Sequence, residues 1–303
     1  VRLDQLPGLV PPGEVIASLT PEIAHGIGLP ATVPLVAGIG DGQAAGLGAG
    51  ATAPGIAYLN LGTSMVMGTP SGEYLTGRAF RTLAGAPAGT FVLETVLNAA
   101  AYLASWFRRE FGDPALAGAP DAALDAAATA VAPGAEGLLT VPYWNAAQTP
   151  YWDARARGVV LGWGGNHTRA HLYRSLLEGV AFELRLHLDG LEAATGTRVT
   201  SLRAMGGGSR SALWAQIVAD VTGRPIQRCE GAEISARGAA VLGWAGAFPP
   251  ATVPEVSAAM TALGERIVPR PEVTLQYDRL FAVQRQIYPR LREVFADLAA
   301  TTC

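Results

Sequence analysis

The sequence predicts an α/β domain. Short apolar runs of strand length alternate along the chain with longer stretches in which apolar residues recur at helical spacing. The 37 glycines and 21 prolines are spread throughout and separate these runs, which is typical of strands and helices joined by turns. Half of the 303 residues are hydrophobic, so the chain can bury one large core or two ordinary ones.

Strands are predicted where short apolar runs are bounded by turn residues. The candidates are residues 35–39, 56–61, 65–68, 90–93, 138–141, 201–205 and 226–229. The first 32 residues are predicted to form a loop, a short helix over 21–26 and an approach to the first strand.

The clearest helix is predicted over residues 168–194, because its apolar residues are spaced four apart. These residues are Leu172, Leu176, Val180, Leu184 and Leu188. Arg174 and Glu178 are also four apart, and we place this pair on the exposed side of the helix.

Further helices are predicted after Ser209, over 234–245, and as a closing helix over 272–300. Residues 247–271 are interpreted as a proline-containing connection. Residues 113–137 are rich in alanine, proline and glycine, and we expect a loosely packed helical insertion there.

Composition excludes several classes of function. The formal net charge is −3, with 22 basic residues scattered among 25 acidic ones, so the basic patch that nucleic acid requires is lacking. Apolar runs stay well below the roughly 20 residues of a membrane span. Cys229 and Cys303 indicate neither a disulfide framework nor a thiolate metal site, which fits a cytoplasmic protein. The start Val-Arg-Leu-Asp contains no secretion signal and is expected to follow a preceding segment.

The first chemical motif is the glycine-rich segment 36–50. Asp41 follows a predicted strand and opens a helix of small residues, with Gln43 two positions later. A carboxylate held there can accept the proton of a substrate hydroxyl that attacks phosphorus. It can equally be the N-cap of the helix, and the sequence leaves both interpretations open.

Two glycine turns form the second and third motifs. Gly62, Thr63 and Ser64 lie between two apolar runs, and their N–H and hydroxyl groups can donate to phosphate oxygens. Gly206, Gly207 and Gly208 lie between a strand and a helix, followed by the hydroxyl of Ser211. Each turn is also compatible with a purely structural role. Neither a dinucleotide fingerprint nor a Walker lysine is present.

Other candidates are weaker. His167 and His171 lack a third metal ligand at suitable spacing, so a helix-capping or surface role is favoured. The aromatic residues of segment 141–165 suit a sugar-binding rim, although packing over a core is the commoner use. They are Tyr143, Trp144, Tyr151, Trp152 and Trp163.

Taken in chain order, these motifs resemble the carboxy-terminal half of the FGGY carbohydrate kinases, in particular the xylulokinase-like members. The order is Gly-Ile-Gly-Asp41-Gly-Gln, Leu-Gly-Thr-Ser64, Thr149-Pro-Tyr-Trp, Arg174-Ser-Leu-Leu-Glu-Gly-Val-Ala-Phe, and Gly206-Gly-Gly-Ser-Arg-Ser. The resemblance spans roughly residues 13–246. It departs from the usual family pattern at Ala146-Ala-Gln-Thr-Pro150 and at Arg237.

The resemblance implies an actin-like, ribonuclease-H-like ATPase fold. It assigns residues 1–32 to the tail of a preceding lobe and its connection, and residues 33–303 to the carboxy-terminal domain. Asp41 then corresponds to the catalytic base, with Gln43 beside the substrate. Gly62, Thr63 and Ser64 correspond to the γ-phosphate turn, and Gly206, Gly207, Gly208 and Ser211 to the adenosine site. Because one ATP must contact both turns, we expect them to lie close together.

The function implied is ATP- and Mg²⁺-dependent phosphorylation of a sugar or polyol hydroxyl, with a ketopentose such as xylulose as the first choice. An amino-terminal lobe is expected as the partner, and without it we expect weak or no activity from the chain alone. An exposed inter-lobe face would favour a homodimer. The alternative is a nucleotide-binding half-kinase with a non-catalytic binding or assembly role.

Overall fold

A computed structural model describes residues 2–116 and 119–301, so Cys303 lies outside the described residues. Within these ranges the centre of the molecule is a seven-stranded mixed sheet with helices on both faces. Two further pairs of strands, β1–β2 and β7–β8, form small antiparallel sheets. The predicted α/β class is confirmed.

Strands and helices are numbered in chain order. The strands are β1 (Val15–Ser18), β2 (Pro34–Val36), β3 (Ile56–Leu61), β4 (Met65–Ser71), β5 (Arg81–Ala84), β6 (Phe91–Leu97), β7 (Leu139–Val141), β8 (Val159–Leu161), β9 (Ser201–Met205), β10 (Ile226–Cys229) and β11 (Leu263–Ile267). The α-helices are α1 (Pro21–Ile27), α2 (Asp41–Gly48), α3 (Ala101–Phe111), α4 (Ala122–Ala130), α5 (Arg169–Thr195), α6 (Ala212–Thr222), α7 (Ile234–Ala247), α8 (Val253–Met260) and α9 (Pro271–Thr301).

The sequence located the longer elements well and the short ones less well. The strand predicted over 35–39 ends at Val36, because Gly38 and Gly40 carry the chain into α2. The strand predicted over 90–93 continues to Leu97 as β6. The connection predicted over 247–271 is wrong in part, since it contains α8 and β11. A capping box between Thr252 and Glu255 starts α8.

The strand order of the central sheet is β11-β10-β9-β3-β4-β6-β5. Strands β3, β9 and β10 run parallel to one another, and the remaining neighbours are antiparallel. Because β3 and β9 are parallel neighbours, the turns that follow them leave the sheet at the same edge. This edge is where ligands commonly bind in open α/β sheets.

The residues of β3 alternate between the two faces of the sheet. Leu59 and Leu61 are fully buried in the main core, which is covered by α3, α5, α6 and α9. Each such leucine contributes about 2 kcal/mol through burial. Tyr58 points to the opposite face, where α2 and α7 pack. These two helices approach so closely that a Cβ on Gly238 would collide with the backbone of Ala44.

The pair Arg174 and Glu178 is buried, with side chains 3% and 1% exposed, so placing it on the exposed side of α5 was wrong. Helix α4 covers this side, and the guanidinium of Arg174 donates to the Ala128 carbonyl at 3.1 Å. Helix α9 adds the Tyr277 hydroxyl at 3.2 Å. Spacing of four residues shows that two side chains share a helix face, but not which distant segment covers that face.

Residues 113–137 contain α4, in which Leu124 and Ala128 are buried. The predicted closing helix corresponds to α9, and the short helix over 21–26 to α1. Neither α5 nor α9, nor any other helix in the described part of the chain, has an apolar run that could cross a membrane.

Candidate functional site

The two glycine turns lie side by side at the edge where β3 and β9 end. A Cβ added to Gly206 would lie 2.9 Å from the Leu61 carbonyl group and would also collide with the Asn60 side chain. A Cβ on Gly208 would lie 2.9 Å from the Leu61 oxygen. The second turn therefore packs directly against the residues that precede Gly62, and the expected proximity of the two turns is confirmed.

The first turn connects β3 to β4. The Gly62 carbonyl accepts a hydrogen bond from the Ala101 N–H at 2.9 Å, and the Thr63 carbonyl accepts one from Ala100 N–H at 2.9 Å. The start of α3 thus fixes the turn from behind. Ser64 donates its hydroxyl to the Asn98 carbonyl at 3.3 Å. Thr63 is exposed, and its hydroxyl has no protein partner within the described residues.

The second turn begins at Gly206, whose φ of +85° favours glycine, and continues as a 3-10 turn over Gly207–Arg210. Gly206 and Gly207 are exposed, whereas Gly208 is buried beneath Leu61 and Trp214. Ser211 is the N-cap of α6 and accepts a hydrogen bond from the Trp214 N–H at 3.2 Å. The start of α6 favours negative charge beside the turn.

Asp41 is the first residue of α2, and the N-cap is Gly40, so the helix-capping interpretation of the Asp41 side chain is not supported. Its Oδ1 accepts a hydrogen bond from the Gly42 N–H at 2.9 Å. Oδ2 has no protein partner in residues 2–116 and 119–301. The side chain is exposed and held at the end of a helix, which orients one carboxylate oxygen and leaves the other available.

Asp41 lines a cavity of about 350 Å³ on the α2 side of the sheet. We call it the Asp41 cavity. Its lining consists of Asp41, Gly42, Gln43, Ala45, Tyr58, Asn60, Val66, Arg81, Leu83, Glu94 and Ser235. Asn60 joins the cavity to the glycine turns, because its amide oxygen lies 3.3 Å from the Cβ position of Gly62 and also contacts that of Gly206. Gln43 donates weakly to the Ala84 carbonyl at 3.4 Å.

The floor of the cavity is a row of cross-strand neighbours from β3, β4, β6 and β5. Tyr58 pairs with Gly68, Gly68 with Glu94, and Glu94 with Arg81. The missing side chain at Gly68 leaves room for the Tyr58 ring, which a Cβ would approach to 2.5 Å. The Tyr58 hydroxyl donates to Glu94 Oε2 at 2.5 Å, and Arg81 Nε donates to Glu94 Oε1 at 2.7 Å.

Burial raises the pKa of Tyr58 far above its usual value, and the neighbouring Glu94 raises it further. The phenol therefore stays neutral and acts as a hydrogen-bond donor to the carboxylate. Glu94 is almost fully buried, while Arg81 reaches out into the cavity.

The described residues contain no group of three or more histidine, cysteine, aspartate or glutamate side chains arranged to hold a metal ion. His171 accepts a hydrogen bond from the Thr168 N–H at the start of α5, which confirms the capping role. Tyr143 is buried in the main core, whereas Trp152 and Trp163 are about half exposed and lie outside the Asp41 cavity.

Sequence reasoning missed Tyr58, Asn60, Arg81 and Glu94. The alternation of Tyr58 and Asn60 with leucines in β3 is a period-two signal for one polar face. Arg81 and Glu94 carry no comparable signal, since their pairing depends on the register of β5 with β6.

The comparisons with known proteins agree with this architecture. Residues 57–247 match the carboxy-terminal domain of the FGGY family of carbohydrate kinases. A xylulose kinase of Escherichia coli (strain K12) is 32% identical over 299 residues, which cover 97% of this chain and 58% of that protein. A gluconokinase of Bacillus subtilis (strain 168) is 31% identical over 79% of this chain and 48% of that protein.

Among solved structures, the xylulose kinase from Rhodospirillum rubrum superposes with a TM-score of 0.84 at 30% identity. The match covers 96% of this chain and 58% of that structure. The chain thus spans less than two thirds of the length of these relatives, and it matches the part of them that includes the carboxy-terminal domain.

Proposed function

Because this chain belongs to the FGGY family of carbohydrate kinases, we propose that it binds ATP and contributes the proton acceptor for phosphorylation of a sugar or polyol hydroxyl. A ketopentose such as xylulose is the first choice, since the xylulose kinase relatives align over nearly the whole chain. A second lobe, present in the longer relatives beyond the aligned part, would supply the opposite wall of the site.

One observation carries this proposal. The glycine turns after β3 and β9 are adjacent, and Asn60 connects them to the cavity that Asp41 lines. A phosphate chain lying on the turns would therefore end beside a cavity with a partly free carboxylate. Phosphoryl transfer depends mainly on such positioning of the two reactants.

The donor set suits a nucleotide. Gly206 and Gly207 are exposed and lack side chains, so an adenosine can lie against their backbone. Thr63 presents a hydroxyl, and Ser211 at the start of α6 retains a hydroxyl hydrogen to donate. Buried Gly208 would shape the turn, and Ser64, already bonded to Asn98, would steady the hairpin.

In the proposed reaction a substrate hydroxyl lies against the free oxygen of Asp41. Its oxygen attacks the γ-phosphorus, the bond to the β-phosphate oxygen breaks, and ADP leaves. The hydroxyl proton passes to Asp41. Gln43, two residues along the same helix, would hold a neighbouring substrate hydroxyl.

Mg²⁺ accompanies ATP in this proposal. Mg²⁺ usually keeps several waters and binds largely through substrate phosphates, so it would not need a dedicated group of protein ligands. When bound, it would offset the negative charge of the phosphates. The carboxylate of Asp41 would remain the proton acceptor.

Asp41→Asn tests the proposed role. In the protein that contains this chain, kcat of sugar-dependent ADP release should fall at least about a hundredfold, because the amide keeps the shape but cannot accept the proton. ATP affinity should change little. Asp113→Asn is the matched control, since Asp113 is an exposed carboxylate that accepts a similar local N–H bond, from Ala115 at 2.9 Å.

Turnover that survives Asp41→Asn, together with a lower melting temperature, would show that Asp41 is structural. ATP binding without turnover on any ketopentose or polyol would instead favour the non-catalytic half-kinase.

A further inference from the structure

Arg81 is a basic side chain of the Asp41 cavity to which the proposed reaction gives no role. Its side chain is about half exposed. Nε and Nη2 both donate to the same oxygen of Glu94. Among residues 2–116 and 119–301, Nη1 donates to no protein atom. One end of the guanidinium is therefore anchored, and the other presents N–H groups to the cavity.

The Glu94 carboxylate, which binds Arg81, is held in place by its surroundings. Glu94 is only 2% exposed, and its second oxygen accepts the Tyr58 hydroxyl at 2.5 Å. The β5–β6 register places Arg81 directly opposite Glu94. Because a guanidinium is planar and rigid, fixing one edge also fixes the direction of the opposite N–H groups.

The charges that line the cavity favour an uncharged ligand. Asp41 and Glu94 are acidic and Arg81 is basic, so the lining carries a net charge of about −1. The positive charge of Arg81 is already compensated by Glu94 at 2.7 Å. A ligand carboxylate would thus meet a net repulsion, whereas a hydroxyl or carbonyl oxygen can accept the free N–H groups without it.

We propose that Arg81 is a specificity-determining residue that donates a hydrogen bond to an uncharged substrate oxygen, in a cavity whose net negative charge disfavours sugar acids. This inference rests on the proposed function and names its substrate class as neutral sugars and polyols. Arg81 would bind a substrate oxygen remote from the reacting hydroxyl, while Asp41 would accept the proton of the reacting hydroxyl itself.

The test is calorimetric titration of the protein that contains this chain with xylitol and with xylonate, which have equal chain length and differ in charge. Xylitol should bind at least about tenfold more tightly than xylonate, a difference of about 1.4 kcal/mol. Arg81→Met should weaken xylitol binding about fivefold through the lost hydrogen bond.

Arg224→Met is the matched control, because Arg224 forms a comparable pair with Glu192 at 2.9 Å and lies outside the cavity. It should leave both affinities unchanged. Glu94→Gln removes the charge that compensates Arg81 and should improve xylonate binding relative to xylitol about tenfold. If Glu94→Gln does not fold, the comparison of Arg81→Met with its control decides alone.

The outcomes separate this inference from the proposed function. A preference of the wild type for xylonate, or unchanged affinities in Arg81→Met, would overturn the role of Arg81 while leaving sugar-dependent turnover intact. Absence of turnover with every neutral and acidic sugar would overturn the proposed function and this inference with it.

Discussion

A buried glutamate on each side of the central sheet is bound by one arginine and one tyrosine. On the α5 side, Glu178 accepts hydrogen bonds from Arg174 Nε and the Tyr277 hydroxyl, both at 2.7 Å. On the α2 side, Glu94 accepts them from Arg81 and Tyr58. We call these the enclosed cluster and the open cluster. Their three residue types are the same. In the enclosed cluster Arg174 and Tyr277 bind one oxygen of Glu178, whereas in the open cluster Arg81 and Tyr58 bind different oxygens of Glu94.

The main difference between the clusters lies in what covers the arginine. The Arg174 side chain is 3% exposed, whereas that of Arg81 is 47% exposed and faces the Asp41 cavity. Burial raises the pKa of Glu178, and the neighbouring Arg174 and Tyr277 only partly oppose that rise. The enclosed cluster also holds the Gly134 N–H at 2.9 Å and so joins three distant segments of the chain.

The same three residue types therefore occur on one sheet both as an enclosed structural cluster and as part of a cavity wall. A fully buried ion pair contributes little net stability relative to an apolar replacement, but removing one partner is costly. A pair at the edge of a water-accessible cavity can be re-solvated when it is broken. We therefore expect changes in the enclosed cluster to affect folding, and changes in the open cluster to affect ligand binding.

The largest effect is expected when Arg174 and Arg81 are each replaced by methionine. Arg174→Met should lower the free energy of unfolding by about 3 kcal/mol, because Glu178 loses its buried partner. Arg81→Met should lower it by about 1 kcal/mol, since water can reach the half-exposed site. Denaturant unfolding measures both, and equal losses would mean that the two clusters do not differ as described.

The pH dependence of Arg174→Met sharpens this test. Without Arg174, burial should raise the pKa of Glu178 further above its ordinary value of 4.5. A raised folded-state pKa gives stability that is present below 4.5 and lost as pH rises through the folded value. The loss caused by Arg174→Met should therefore be larger at pH 8 than at pH 5, and a loss independent of pH would contradict the prediction.

The two clusters also show which features of the fold and of the site could be predicted from the sequence. Chain order and turn chemistry placed Asp41, the two glycine turns and the long helices, because each signal is local. Parallel pairing of β3 and β9 then brings the two turns together. Short strands such as β5 and β8 were missed, because a few residues at an edge give no clear alternation.

The remaining misses depend on contacts between segments far apart in the chain. The spacing of Arg174 and Glu178 is typical of a surface pair, but α4 and α9 cover them in the structure. Arg81 and Glu94 become neighbours only through strand register. The sequence around a charged residue does not show whether a distant helix or strand will bury it.

An intermediate effect is expected at the second glycine turn. A side chain at Gly206 would meet packed backbone, whereas one at Gly207 would meet open space. Gly206→Ala should destabilise the protein by about 2 kcal/mol, since its φ is +85° and a Cβ would press on the Leu61 backbone. Gly207→Ala meets open space, so stability should change by less than about 0.5 kcal/mol.

Nucleotide binding separates the two glycine variants further. Gly207→Ala should weaken ATP binding several-fold, by roughly 1 kcal/mol, because the methyl group would project towards the proposed adenosine site. Titration with ATP, with Gly243→Ala as a control at another open glycine, measures this. Unchanged ATP affinity in Gly207→Ala would remove this turn from the nucleotide site.

The smallest effect is expected from removing a single hydroxyl from each cluster. Tyr277→Phe should cost about 1.5 kcal/mol, because Glu178 and Arg174 both lose a partner where water cannot replace it. Tyr58→Phe should cost about 0.5 kcal/mol, since Arg81 still holds Glu94 and Glu94, although buried, lines the Asp41 cavity, whose water would replace the lost hydroxyl. The ring of Tyr58 remains packed over Gly68 in the variant.

The order of these two losses is the decisive quantity, because both substitutions remove the same atom and keep the same ring. Thermal or denaturant unfolding of the two variants under one condition gives it directly. If Tyr58→Phe proved the more costly, Glu94 would depend on the phenol as fully as Glu178 depends on its own partners. The open cluster would then be a structural element that happens to border a cavity, and the contrast drawn between the two clusters would not hold.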